Sequence, residues 1–150
     1  MDENAFRDTY RAVNPVACLF EKAILTGRFG CEKSARMHLA ERVTVGCSEA
    51  QARDGCAELL DLLRENALFA LKLTHLEAGL PHGKEMRVQC GGLLGVLDAV
   101  RREGEASAGV ENIFGLVAEA RAQFNGLEGL PFREIVKSIS AYQLRHRPAG

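Results

Sequence analysis

The stretch Cys31-Glu-Lys-Ser-Ala-Arg-Met-His-Leu-Ala-Glu-Arg-Val-Thr-Val-Gly-Cys47 decides the fold class. Ala35, Leu39 and Val43 recur at helical spacing, with Met37 and Ala40 beside them, so the pattern predicts a helix over 32–45. The β-branched Val43-Thr44-Val45 is stiff in a helix and predicts fraying at its end. Gly46 then supplies the stop.

The same period runs outward in both directions. Upstream, Asn14-Pro15 reads as a cap followed by a first helical residue. Val16, Leu19, Phe20, Ala23 and Ile24 share a face up to Gly27, and Arg28-Phe29-Gly30-Cys31 reads as a turn. Downstream, Ser48 and Gln51 form a capping box for the longest helix, 49–77. Its stripe is Leu59, Leu60, Leu63, Ala67, Ala70 and Leu71, and Gly79 and Pro81 end it.

A fourth helix over 83–103 places Met86, Cys90, Leu93, Leu97 and Val100 on a seam of alternating threes and fours. Gly91, Gly92 and Gly95 lie beside that seam. Each glycine weakens a helix by about 0.8–1 kcal/mol relative to alanine, so three together imply close backbone approach, to another helix or to a cofactor.

Residues 104–109 read as a loop. A fifth helix carries Val110, Ile113, Phe114, Val117 and Phe124 and closes at Asn125-Gly126; a sixth starts at Pro131 and uses Phe132, Ile135, Val136 and Ile139. The similar connections ending at Pro81 and Pro131 read as shared helix punctuation rather than a duplication. The expectation is an all-α single-domain bundle of five or six helices over 1–144. Its cofactor-binding half would span 14–60, and a disordered basic tail would span 145–150.

Composition narrows the function classes. The chain is 47% hydrophobic and 26% charged over 150 residues, as in ordinary globular proteins. A net charge of −1 leaves no basic footprint for nucleic acid or an anionic membrane surface. No apolar run approaches the roughly 20 residues of a membrane span. The acidic start Met1-Asp2-Glu3-Asn4 lacks a signal-peptide layout. These features point to the cytoplasm, where thiols stay reduced and cysteines serve metal binding, catalysis or packing.

Cys18, Cys31, Cys47 and Cys56 therefore stand out as candidate ligands, with Cys90 apart as a core residue. Three of the four follow a glycine directly: Gly30, Gly46 and Gly55. Glycine lets the backbone approach a bulky inorganic core and donate N–H groups to its sulfurs. The expected helices would put Cys18, Cys31 and Cys47 near helix starts, where unpaired N–H groups favour a thiolate. Arg28, Lys33 and Arg53 could balance an anionic group.

No C-x₂-C run supports a zinc knuckle or a ferredoxin-type motif. Four dispersed cysteines suit a cubane [4Fe–4S] cluster better than one zinc ion. A continuous helix from Ser48, however, separates Cys47 from Cys56 by about 13 Å at 1.5 Å rise per residue. The cluster reading accordingly expects the helix to start late, with Asp54 as its cap.

Hydrolase motifs, a phosphate loop and H-E-x-x-H are absent, and Cys31 with His38 at seven-residue spacing is also ordinary surface spacing. No catalytic residue is assigned. Two function classes remain. One is a small iron–sulfur protein serving as electron carrier, redox sensor or accessory subunit in cytoplasmic redox or sulfur metabolism, with a redox partner. The other is a cofactor-free helical adaptor for a protein partner, its cysteines buried among apolar side chains.

Overall fold

The computed structural model describes residues 16–70, 81–101 and 109–142. The Asn14-Pro15 cap, the final turn expected over 71–77, the connection through Gly79, most of the 104–109 loop and the 145–150 tail lie outside these residues.

The expected helix over 32–45 is a β-hairpin, so the protein is mixed α/β and not an all-α bundle. Strand β1 (Ser34–Leu39) pairs antiparallel with β2 (Arg42–Cys47), in a register running from Ser34 opposite Cys47 to Leu39 opposite Arg42. The β-branched run decides this: Val43, Thr44 and Val45 pack better on a pleated surface than in a helix. The hairpin turns on Ala40-Glu41, with Ala40 at φ +56°. A left-handed alanine is unfavourable by about 1–2 kcal/mol, and the turn lacks the Asn-Gly or Asp-Gly that announces most tight hairpins.

Among the described residues, five helices accompany the hairpin. The first, α1, is only Glu21–Ile24; Val16 to Phe20 lie before it and do not extend it. Gly27, at φ +86°, ends this segment as expected. Helix α2 (Ala50–Ala70) is continuous over 21 residues. Helix α3 joins His82–Met86, a π-helical turn Arg87–Gly91 and Gly92–Arg101. Helix α4 is Ile113–Gln123, and α5 is Phe132–Ala141 after a short 3₁₀ turn, Leu127–Gly129. Asn125 and Gly126 both take positive φ at the end of α4.

The core collects the predicted stripes. Leu59, Leu60, Leu63 and Ala67 of α2, Val88, Leu93 and Val96 of α3, Ile113 and Ala120 of α4, and Ile135 and Ile139 of α5 are buried. The α3 glycines serve a neighbouring helix rather than a cofactor. A Cβ on Gly95 would lie 3.0 Å from the Ile135 Cα, and one on Gly92 would meet the Leu63 side chain.

One polar network crosses this core. Glu85, 4% exposed, accepts two hydrogen bonds from Arg64 of α2, at 3.2 and 2.6 Å. The Gln89 amide donates to the same carboxylate at 3.0 Å, and its oxygen accepts the Ala23 N–H at 3.1 Å. No buried side-chain polar atom among the described residues lacks a partner, and the Gln89–Ala23 bond ties α1 to α3. Among the described residues no helix is long and apolar enough to cross a membrane.

The glycine contact gives a direct test. A Cβ on Gly91 would lie 2.6 Å from the Ile139 Cα and 2.7 Å from the Ser138 carbonyl oxygen, both backbone atoms. Gly91→Ala therefore forces α3 and α5 apart and should lower stability by about 1–3 kcal/mol. Urea denaturation measures the loss, and a variant as stable as the parent would contradict this helix contact.

Candidate metal centre

The four cysteines separated along the sequence line one pocket. Cys18, Cys31, Cys47 and Cys56 share its wall with Leu19, Phe20, Ile113 and Phe114, together with Lys33, Ser34, Gly46, Ala52 and Arg53. Each sulfur arrives by a different device.

Cys18 and Cys47 meet across a two-bond ladder. The Cys18 N–H donates to the Val45 carbonyl at 2.9 Å and the Cys47 N–H to the Val16 carbonyl at 2.7 Å, with Ala17 opposite Gly46. Ala17 and Gly46 are the close, non-hydrogen-bonded pair of this ladder. The residues that follow each of them, Cys18 and Cys47, share the other face as diagonal neighbours, a relation of about 7–8 Å or somewhat less between side chains.

Cys31 is delivered by a turn. The Ser34 N–H and hydroxyl both donate to the Cys31 carbonyl, at 3.1 and 2.8 Å. Ser34 is the register partner of Cys47, so the turn hangs Cys31 beside it. The preceding segment is clamped to the start of α4: Gly30 N–H to the Val110 carbonyl at 2.8 Å, and Ile113 N–H to the Gly30 carbonyl at 2.8 Å.

Cys56 comes from α2, and here the expected late start is wrong. The helix begins at Ala50, not after Asp54. Glu49 rather than Ser48 serves as its cap residue, its carbonyl accepting the Ala52 and Arg53 N–H groups at 3.1 and 3.4 Å. The spacing objection is reduced but not removed, because residues 47–49 are not helical. The six steps from Ala50 to Cys56 rise about 9 Å along the axis, and side chains on a helix tilt back toward its N-terminus.

The local surroundings differ from the expected helix starts. Cys18 precedes a four-residue helix and Cys31 precedes a strand; Cys47 alone leads into a long helix. Backbone N–H groups reach two of the sulfurs all the same. The Lys33 N–H donates to the Cys31 Sγ at 3.4 Å, and the Phe20 N–H donates to the Cys18 sulfur. The Cys47 thiol donates to the Glu49 carbonyl at 3.1 Å, a bond it must give up on becoming a thiolate.

Of the flanking glycines, Gly46 faces the pocket. Gly30 and Gly55 have packing reasons instead: a Cβ would fall 2.9 Å from the Glu111 carbonyl oxygen at Gly30, and 3.2–3.3 Å from Arg121 and Val117 at Gly55.

Of the three expected cations, Lys33 and Arg53 line the pocket and Arg28 does not. Lys33 is paired with Glu49 at 2.8 Å and sits 5.0 Å over the Phe114 ring. Arg53 donates its Nε–H to the Ala17 carbonyl at 2.7 Å. His38 is exposed on β1 and away from the pocket wall. Cys90, 0% exposed, is a core residue on the α3 seam, its thiol hydrogen-bonded with Tyr142.

Burial and mutual repulsion hold two of the thiols in their protonated form. Burial pushes Cys18 up to about 11, with the charges of Cys31 and Cys47 adding to it and the Phe20 N–H opposing. Burial pushes Cys56 up to about 12, with Cys31, Cys18 and Cys47 adding and Arg121 opposing. Four sulfurs are thus close enough to feel one another's charge, and a bound cation would release their protons.

The enclosed space is small, about 20 Å³ open to the centre of a water molecule. That is on the order of one water. Among the described residues, no three or more His, Cys, Asp or Glu groups are placed to hold a single metal ion. Four thiols are the donor chemistry that a thiolate-bound group would use. Comparison with known proteins adds no constraint: no family model, curated protein or solved structure matches this chain.

The raised thiols have a pH signature. Below pH 9.0, the ordinary thiol value, Cys18 and Cys56 are protonated whether the metal-free chain is folded or unfolded. Between 9.0 and about 11–12 only the unfolded chain has lost these protons. Stability must therefore fall as pH rises through that window. Denaturation at a series of pH values measures this. The double variant Cys18→Ser/Cys56→Ser should lose part of the slope and keep the part due to Cys90 and Tyr142, which burial also pushes up; an unchanged slope would place the titrating groups elsewhere.

Proposed function

We propose that the chain binds a [4Fe–4S] cluster through Cys18, Cys31, Cys47 and Cys56 and works by electron transfer or redox sensing with a protein partner. The observation that carries this is the meeting of these four thiols, and no other cysteine, at one pocket. A single zinc ion needs sulfurs about 2.3 Å from a common centre, and no such convergence exists among the described residues. A cubane accepts sulfurs spaced more widely, one on each iron.

The chemistry follows from the ligand count. With one thiolate on every iron no coordination position stays open, which favours storing and passing an electron over activating a substrate. The N–H bonds to Cys18 and Cys31 would stabilise negative charge on their sulfurs and so tune the potential. All five thiols are free, in keeping with a reducing compartment such as the cytoplasm. The competing adaptor reading draws on the small cavity and the protonated thiols, features shared by cysteines that merely fill space.

Anaerobic reconstitution with iron and sulfide separates the two. The cluster reading expects brown protein absorbing at about 400 nm, with about four irons and four sulfides per chain. Cys31→Ser should lose the chromophore, while Cys90→Ala, altering a core thiol outside the pocket, should keep it. Protein that stays colourless and takes up neither iron nor sulfide leaves the adaptor.

A further inference from the structure

The geometry points to Arg53 as the counter-ion and positioning residue of the four-cysteine site: its guanidinium balances the negative charge of the metal–thiolate group while its Nε–H fixes the strand that carries Cys18. This rests on the cluster reading above. Two observations lead to it.

The first is the clamp. Arg53 lies in the first turn of α2, the helix that also carries Cys56. Its Nε–H reaches the Ala17 carbonyl at 2.7 Å, one residue before Cys18. That bond ties two ligands from separate elements, Cys18 and Cys56, to each other. It leaves the other guanidinium N–H groups, two on each terminal nitrogen, without a role in the fold.

The second is an unbalanced charge. The pocket wall holds two cations, Lys33 and Arg53, and no carboxylate. Glu49 neutralises Lys33 at 2.8 Å. Arg53 is partly buried, and no carboxylate among the described residues pairs with it. A guanidinium beside an apolar wall is well placed to pair with an anion that arrives there. The four sulfurs are the only groups on that wall able to become negative, and they do so on binding metal. Four thiolates around a doubly positive cluster carry a net charge of two negatives, which Arg53 reduces by half.

The substitutions Arg53→Gln and Arg53→Lys separate charge from geometry. Both full-length variants are reconstituted anaerobically with iron and sulfide beside the parent. Circular dichroism confirms that each is folded, and the midpoint potential is read by titration. Arg53→Gln should hold its cluster at a lower potential, because the reduced, more negative state loses its nearby cation. Arg53→Lys should stay near the parent value.

Loss of the cluster in Arg53→Gln with retention in Arg53→Lys would also support the charge role. A cluster-bearing Arg53→Gln at the parent potential overturns it, as does equal loss of the cluster in both variants. If the parent itself takes up no iron or sulfide, the cluster reading falls first and this inference with it, an outcome distinct from the others.

Discussion

Two backbone hydrogen bonds, from the Cys18 N–H to the Val45 carbonyl and from the Cys47 N–H to the Val16 carbonyl, govern how this molecule is put together. They make an isolated bridge, Ala17 to Gly46, out of a segment whose side chains favour a helix. Without them Cys18 would belong to α1 and Cys47 to the end of an isolated hairpin. With them the N-terminal segment lies along β2, and its thiol shares a face with that of Cys47. The bonds are ordinary in strength, each worth about 0.5–1.5 kcal/mol net. Their effect is geometric, because they fix which face each sulfur takes.

The rest of the pocket is secured by contacts that each join distant parts of the chain. Arg53 holds the Ala17 carbonyl, Asn112 holds the Glu32 N–H and carboxylate at 3.0 and 2.7 Å, and Phe29 bridges to Val110. Helix α2 and the start of α4 supply the helical side of the wall, while Gly91 and Gly95 let α3 and α5 approach closely behind it. The small lobe of α1 and the hairpin contributes Cys18, Cys31 and Cys47; the helical body contributes Cys56. A group bound by all four thiols would join the two.

The helical body could be read from the sequence because its signals are periodic and local. Leu59, Leu60 and Leu63, the α3 seam, and the glycine and proline punctuation near Asn125 and Pro131 all do in the structure what their spacing predicts. The hairpin was hidden by a coincidence of period: Ala35, Leu39 and Val43 satisfy helical spacing, while a tight turn on Ala40-Glu41 has none of the usual turn residues. The β-branched Val43-Thr44-Val45 was the true signal and carried too little weight.

The meeting of four cysteines from separate elements could be suspected from their number, yet the means of bringing them together could not. The Ala17–Gly46 ladder and the Arg53 clamp are tertiary contacts without a local signature. Glycine beside cysteine was a misleading cue at Gly30 and Gly55, where packing against Glu111 and α4 accounts for it. Its sense at Gly46 is different, since that residue sits in the close pair opposite Ala17 and forms part of the pocket wall.

Ile113 and Phe114 close the pocket from a point nearly sixty residues beyond Cys56 in the chain. A nascent polypeptide emerging from the ribosome therefore exposes all four thiols well before it possesses the wall that shelters them. During that interval they are open to oxidants and stray thiophilic ions, and the arrival of α4 adds the apolar wall that partly covers them.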